Sequence, residues 1–381
     1  MVTAARPRSA VPARTARSAP PRTGGERIVA AVRHLGPNWY ASVMGTAIVA
    51  TAGAGLPAGV PGLGTACRVL WALSAVMLAV LLAARALHWR HHRDQARAHL
   101  LDPAVAPFHG CLAMALLAVG GATLVVGADL IGTGPAVAVD TVLFTAGTVV
   151  GLAAAVGVPY LMVVRHRIEP GQASPVWLLP LVAPMVSAAL GPLLAPHVPA
   201  GQPRATLLLG CVALFGLSLL AVLVMLPMVF ARLVTRGPLP LALTPVLFLV
   251  LGPLGQSATA AGKFADVAPG AAPAYAHGFA LFAVLYAVPV IGFALLWLTL
   301  SVALVVRALR HGMRFSMTWW AFTFPLGTCA TGAEGLARHT GLTAFGALAV
   351  VLYALLVAAW SAAAAGTVRG LLGGRLLAAP R

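Results

Sequence analysis

The chain has 381 residues, of which 60% are apolar and only 9% charged, with a formal net charge of +17. So few polar side chains cannot cover a water-facing surface, which excludes an ordinary soluble enzyme and makes lipid the expected solvent for most of it. The basic residues fall in short clusters between long apolar stretches instead of gathering on one domain, which excludes a nucleic-acid-binding module and points to membrane topology.

Residues 1–35 are rich in Ala, Pro and Arg and lack the apolar run of a cleavable signal peptide, so they are expected to form a disordered basic cytoplasmic tail that can touch anionic headgroups. A helix needs roughly 20 apolar residues to cross the hydrocarbon core. On that measure ten spans are predicted, at about 38–55, 63–87, 107–128, 137–163, 175–195, 204–231, 240–262, 277–306, 315–337 and 342–367. They make one ten-helix transport domain over 36–371, with a short cytoplasmic tail at 372–381.

Arginine fixes the orientation, because cytoplasmic loops carry an excess of Lys and Arg. The tail holds Arg6, Arg8, Arg14, Arg17, Arg22, Arg27 and Arg33. Arg85, Arg90, Arg93 and Arg97 follow the second span, Arg165 and Arg167 the fourth, Arg232 and Arg236 the sixth, and Arg307, Arg310 and Arg314 the eighth. The opposite loops have only Arg68, Arg204, Lys263 and Arg338 at or near them. Both termini are therefore expected on the cytoplasmic side of a multi-pass protein of the cell membrane.

The odd-numbered spans begin near residues 38, 107, 175, 240 and 314, so a helical hairpin recurs about every 70 residues. The copies all start from one side, which relates them by an axis along the membrane normal and not by the in-plane axis of inverted repeats. The fold class is all-α integral membrane, five hairpins in quasi-five-fold array around a central pore. Constant membrane thickness would also give hairpins of similar length, with no pore.

Gly45, Gly120, Pro184, Pro253 and Pro325 interrupt odd spans, and freed backbone groups are tolerated best beside a cavity, so these positions are read as pore kinks; a plain structural kink is the alternative for each. Phe324 lies roughly 14 Å into the ninth span, near the midplane, beside Pro325. Facing a pathway it would form a hydrophobic constriction; facing a neighbour it would be packing. Thr46, Ser187, Gln256, Ser257 and Thr323 are the candidate donors of the lining, although Ser and Thr in membrane helices often bond only to the preceding turn.

Asp140, Lys263, Asp266, Glu334 and Arg338 lie near non-cytoplasmic span ends, where interfacial exposure accounts for them. Glu334 with Arg338, and Lys263 with Asp266, are predicted ion pairs. The scarcity of buried carboxylates argues against an acid relay. His88, His91, His92 and His99 have helical spacing suited to a metal, but among so many arginines they read as a solvated basic patch, and His109 as a headgroup-level histidine. Cys67, Cys111, Cys211 and Cys329 stand singly as small apolar residues. Without HExxH, GxSxG or GxxxxGK[ST], no catalytic residue, metal or cofactor is expected.

The run Pro37-Asn38-Trp39-Tyr40-Ala41-Ser42-Val43-Met44-Gly45-Thr46 resembles the opening of the tellurite-resistance/dicarboxylate transporter family, which includes the slow-type anion channels of plants and fungal malate and sulfite transporters. Pro107-Phe108-His109-Gly110-Cys111, Leu179-Pro180-Leu181-Val182-Ala183-Pro184-Met185-Val186-Ser187 and Gly252-Pro253-Leu254-Gly255-Gln256-Ser257 agree in order. Trp319-Trp320-Ala321-Phe322-Thr323-Phe324-Pro325 is similar to the segment carrying the family's pore-gating phenylalanine, which falls on Phe324. The resemblance covers all ten spans and implies odd helices around a pore in each subunit of a homotrimer, with small anions and the bilayer as partners and no nucleic acid. It favours a C4-dicarboxylate (malate-type) carrier, with a sulfite or oxyanion exporter and a gated chloride- or nitrate-type channel as alternatives. A membrane sensor or scaffold that transports nothing is the reading from another class.

Overall fold

The structure, a computed structural model, describes residues 32–376 apart from 58, 170 and 375; among these it is all-helical. In chain order the helices are α1 (Tyr40–Gly55), α2 (Leu63–His91), α3 (Arg93–Leu101), α4 (Gly110–Ala122), α5 (Thr133–Val164), α6 (Leu178–Leu190), α7 (Gln202–Arg236), α8 (Leu251–Ala271), α9 (Ala276–Arg310), α10 (Thr323–Thr340) and α11 (Thr343–Leu372). α4 runs on through a π turn, Thr123–Gly127, and a last turn, Ala128–Ile131. Among the described residues eight helical stretches are long and apolar enough to cross a membrane, which makes this a multi-pass membrane protein. α1, at 16 residues, and α10, which carries Glu334 and Arg338, lie outside that set.

Helices of two kinds alternate. α1, α4, α6, α8 and α10 pack in a closed ring, each against the next and α10 back against α1. α2, α5, α7, α9 and α11 lie outside, each packed on the inner helix before it and touching the one after. In the apolar windows around α4, α6 and α8, 78–89% of residues are buried, against 22–28% around the outer five. A helix apolar on all sides belongs inside a bundle, and one whose apolar surface stays exposed belongs against lipid.

Close approach within the ring depends on small residues. A Cβ on Gly255 of α8 would strike the α10 backbone at Thr328 and Cys329, and one on Gly110 of α4 would lie 2.6 Å from the Leu179 carbonyl oxygen. Gly45 acts in the same way within the ring, and Gly120 does so between α4 and the outer α5. Both lie in unbroken α-helix, so neither marks the kink expected of it: Gly45 fits against Thr323, and Gly120 against Asp140, whose Oδ1 would be 2.5 Å from an added Cβ.

Every inner helix starts as 3-10 helix, over Pro37–Trp39, Ala106–His109, Pro175–Trp177, Leu241–Val250 and Met317–Phe322. Pro37, Pro107 and Pro175 occupy first-turn positions, where a missing N–H costs nothing. Pro253 and Pro325 are the third residues of α8 and α10 and occupy the same kind of position, so the expected mid-span kinks are instead changes from 3-10 to α-helix. Of the prolines expected to kink, Pro184 alone lies well inside its α-helix.

The N-terminal boundary also differs from expectation. Residues 32–35, assigned to the disordered tail, belong to the folded body: Arg85 Nη1 donates to Leu35 O at 2.7 Å, and His88 Nδ1 lies 2.9 Å from Val32 O. The rest of that tail, like most of 372–381, lies outside the described residues.

Candidate ion pathway

Three spaces follow one another along the axis of the inner ring, and each is lined by all five inner elements. The first, about 20 Å³, is bounded by Asn38, Phe108, Leu179, Val246 and Thr318, all from the N-terminal ends of their elements. The last, about 140 Å³, is bounded by the C-terminal halves, among them Gly55, Val125, Leu193, Lys263 and Arg338. The five inner helices therefore run parallel, with their positive dipole ends converging on the first mouth, an arrangement that favours anions there.

Between them lies a space of about 10 Å³ walled by Met44, Met114, Leu178, Leu249 and Phe324. A single water needs roughly 10–15 Å³, so the pathway is shut at this level. Phe324 is 3% exposed and has a rigid base. Trp320, four residues before it, donates from Nε1 to Thr367 Oγ1 on α11 at 2.9 Å, and Thr323 Oγ1 donates to Trp320 O at 2.8 Å. The 3-10 to α transition at Thr323 thus carries the ring inward from a segment pinned to an outer helix.

The wide end carries the polar groups. Asp266 holds Lys263 Nζ at 3.5 Å, Arg338 Nη2 at 3.6 Å and His339 Nε2 at 3.2 Å. The expected Lys263–Asp266 pair is present. The expected Glu334–Arg338 pair is not: Arg338 turns to Asp266 on α8, and Glu334, 5% exposed, sits over Gly55 with Oε1 unpartnered. Glu334 and Asp140, 2% exposed, are both buried, which corrects the expected interfacial exposure and the scarcity of buried carboxylates.

Of the five predicted donors, Gln256 lines the wide cavity and the other four line none of the three axial spaces. Thr46 Oγ1 donates to Ser42 O at 2.8 Å and accepts from Trp360 Nε1 at 3.0 Å, which turns it to α11. Ser187 accepts from Thr148 Oγ1 of α5 at 2.9 Å. Ser257 donates to Leu254 O, and Thr323 is spent on Trp320. Thr51, Thr259 and Thr331 line the wide cavity instead. The signal for them is helical spacing: Gln256, Thr259 and Lys263 on α8, and Thr331, Glu334 and Arg338 on α10, each stand at i, i+3 and i+7, one polar stripe per helix.

At the other end, His91 is exposed as expected of a solvated patch, but His88 is not part of one. Arg85 and His88 are buried, and the His88 ring stacks on His99 with centroids 5.5 Å apart. Burial and the nearby Arg85 charge push the His99 imidazole down to about 4.

The chain matches, over residues 34–368, the family described as SLAC1, voltage-dependent anion channel. It is 25% identical over 334 residues to an uncharacterized transporter of Methanocaldococcus jannaschii, covering 87% of this chain and 91% of that protein. It is 26% identical over 337 residues to the sulfite efflux pumps of Arthroderma otae and Trichophyton rubrum, covering 87% of this chain and 89% of each. The resemblance stated from the sequence thus holds, and the chain, a multi-pass membrane protein with an occluded axial column, belongs to the SLAC1 family of anion channels and transporters.

Proposed function

We propose that this protein exports a small oxyanion of the sulfite class across the cell membrane through the axis of its inner ring. The observation that carries the reading is the convergence of five parallel helix N-termini on a narrow mouth leading to a constriction walled by Phe324. In this reading ten helices cross the bilayer as five hairpins, both termini are cytoplasmic, and Phe324 is the gate. The short α1 and the more polar α10 cross it because the other helices shield them from lipid. The arginine series supports the orientation. The homotrimer rests on the resemblance alone. The names of the fungal relatives favour sulfite over the C4-dicarboxylate expected from the sequence.

The test is uptake of sulfite, malate and chloride into proteoliposomes, with and without a pH gradient, for the wild type and Phe324→Ala. We expect sulfite flux above malate flux, and severalfold faster flux of sulfite and chloride in the variant, since removing the ring opens the narrowest level. Flux that persists without a pH gradient identifies passive transport, by channel or uncoupled carrier, and flux that needs one a proton-coupled carrier. Folded protein that moves none of the three ions overturns the reading.

A further inference from the structure

The wide cavity beyond Phe324 ends in two cations that share one counter-ion. Lys263 on α8 and Arg338 on α10 both line it, and both face the same oxygen, Asp266 Oδ2, at 3.5 and 3.6 Å. The other oxygen, Oδ1, is held by His339, whose Nε2 lies 3.2 Å from it and 3.1 Å from Gly262 O. Asp266, not Glu334, is therefore the carboxylate that both cations face.

These contacts are loose and incomplete. A close charge-assisted N–H···O bond is about 2.7–2.9 Å long, and both ion pairs are well beyond it. An ammonium carries three N–H donors and a guanidinium five, so one shared oxygen leaves most of them for another acceptor. Lys263 and Arg338 are 29% and 46% exposed, so an ion reaches them without repacking the helices. The space they border, about 140 Å³, holds an ion together with waters, since one water needs roughly 10–15 Å³.

Charge decides what that ion is. Two cations and one carboxylate leave an excess of positive charge at the end of the pathway, which draws an anion. Without the carboxylate, two unneutralised cations in a narrow space would hold that anion tightly, and passage requires binding weak enough for the ion to leave.

We propose that Lys263 and Arg338 form an anion-binding site at the wide end of the pathway, and that Asp266 is its tethered counter-ion, occupying the place of the transported anion and setting how weakly that anion is held. This rests on the transport reading above and concerns affinity, not the choice of ion, because the N–H donors serve chloride and an oxyanion alike. An arriving anion takes the free donors of both cations and loosens their hold on Oδ2. His339 keeps Oδ1, so the carboxylate stays within reach and competes again as the ion departs. A salt bridge that only braced α8 against α10 would behave differently: its loss would lower stability and leave anion affinity where it was.

The experiment measures tracer exchange of sulfite and of chloride in proteoliposomes at one fixed pH, with equal concentrations on the two sides, as a function of that concentration. Equal solutions make the orientation of the protein in the vesicle immaterial. Asp266→Asn should lower the half-saturating concentration of both ions about three- to tenfold, and Lys263→Gln and Arg338→Gln should each raise it by a similar factor. Asp129→Asn removes a carboxylate from the exposed pair with Arg68 at the same end of the bundle and should change nothing, which separates a local counter-ion from the general surface potential. The Asp266→Asn shift should persist in Glu334→Gln protein, which separates it from the charge on Glu334. A half-saturating concentration that stays or rises in Asp266→Asn overturns the proposal, as does one that neither cation variant moves, or an equal shift in Asp129→Asn. If Asp266→Asn does not fold, the two cation variants decide. Wild-type protein that exchanges neither ion defeats the transport reading itself, and exchange that saturates alike in the wild type and every variant defeats this inference alone.

Discussion

Trp320 Nε1 and Thr367 Oγ1 are 2.9 Å apart, and this hydrogen bond ties the 3-10 segment that delivers Phe324 to the outermost layer of the bundle. Trp320 is 2% exposed, so its N–H has no water to turn to. Thr367→Val keeps the volume and removes the acceptor. The expected cost is about 1–3 kcal/mol, the range for a buried donor left unmade. It should appear as a lower melting temperature in detergent together with raised basal anion flux, because the base of the ring loosens. A fall in stability with no change in flux would separate this anchor from the constriction.

Ring closure makes a sharper prediction about glycine. At Gly45 an added Cβ would overlap Thr323 Oγ1 and lie 3.0 Å from Trp320, whereas at Gly292 on the outer face of α9 nothing stands within 4 Å. Gly45→Ala should therefore destabilise by about 1–3 kcal/mol through overpacking. Gly292→Ala should be neutral or slightly stabilising, since Ala is the better helix former. Adding Thr323→Ala to Gly45→Ala should restore part of the loss. Thermal unfolding of the three variants beside the wild type, with fluorescence-detected gel filtration for monodispersity, reads all of this.

How much of this was legible in the sequence depends on the kind of signal. Apolar length and arginine clusters mark the long helices, and the proline-rich starts mark the inner ones, because each reports a local requirement of the chain. The direction in which a hydroxyl faces is not local. Thr46 and Ser187 were expected in the lining because they stand on inner helices, yet Trp360 and Thr148 draw them outward, and only the packed partner helix decides that. The same holds for Arg338, which chooses Asp266 on α8 over Glu334 on its own helix. The polar stripes at i, i+3 and i+7 on α8 and α10 were readable and would have named Thr259 and Thr331.

That distinction can be tested on function. Thr46→Val and Ser187→Ala remove hydroxyls that join inner to outer helices, each worth about 1 kcal/mol in a membrane bundle. Both should lower the melting temperature by a few degrees and leave the order of anion preference intact. Thr331→Val, on the cavity wall, should change that order with a smaller effect on stability. Selectivity that moved with Thr46 would return that residue to the pathway and contradict its bond to Trp360.

His99 supplies a prediction whose sign follows from linkage. Its imidazole is pushed down to about 4 by burial and by Arg85, below the ordinary 6.5 it would regain on unfolding. Between those values the unfolded segment binds a proton that the folded one does not, so stability rises with pH there and is lost as the pH falls from about 6.5 towards 4. After solvent screening of this partly exposed group the loss is roughly 1–2 kcal/mol. It should fall on α3, whose His99 ring stacks on His88, and on the contact that holds Val32 and Leu35 to α2. Hydrogen exchange of residues 93–101, corrected for intrinsic rate, should therefore be faster at about pH 5 than at about pH 7. His99→Gln, which cannot be protonated, should remove most of that difference. An exchange rate independent of pH in the wild type would mean that His88 and His99 are more solvated than their packing implies, and that the folded N-terminal boundary at Val32 does not depend on their charge.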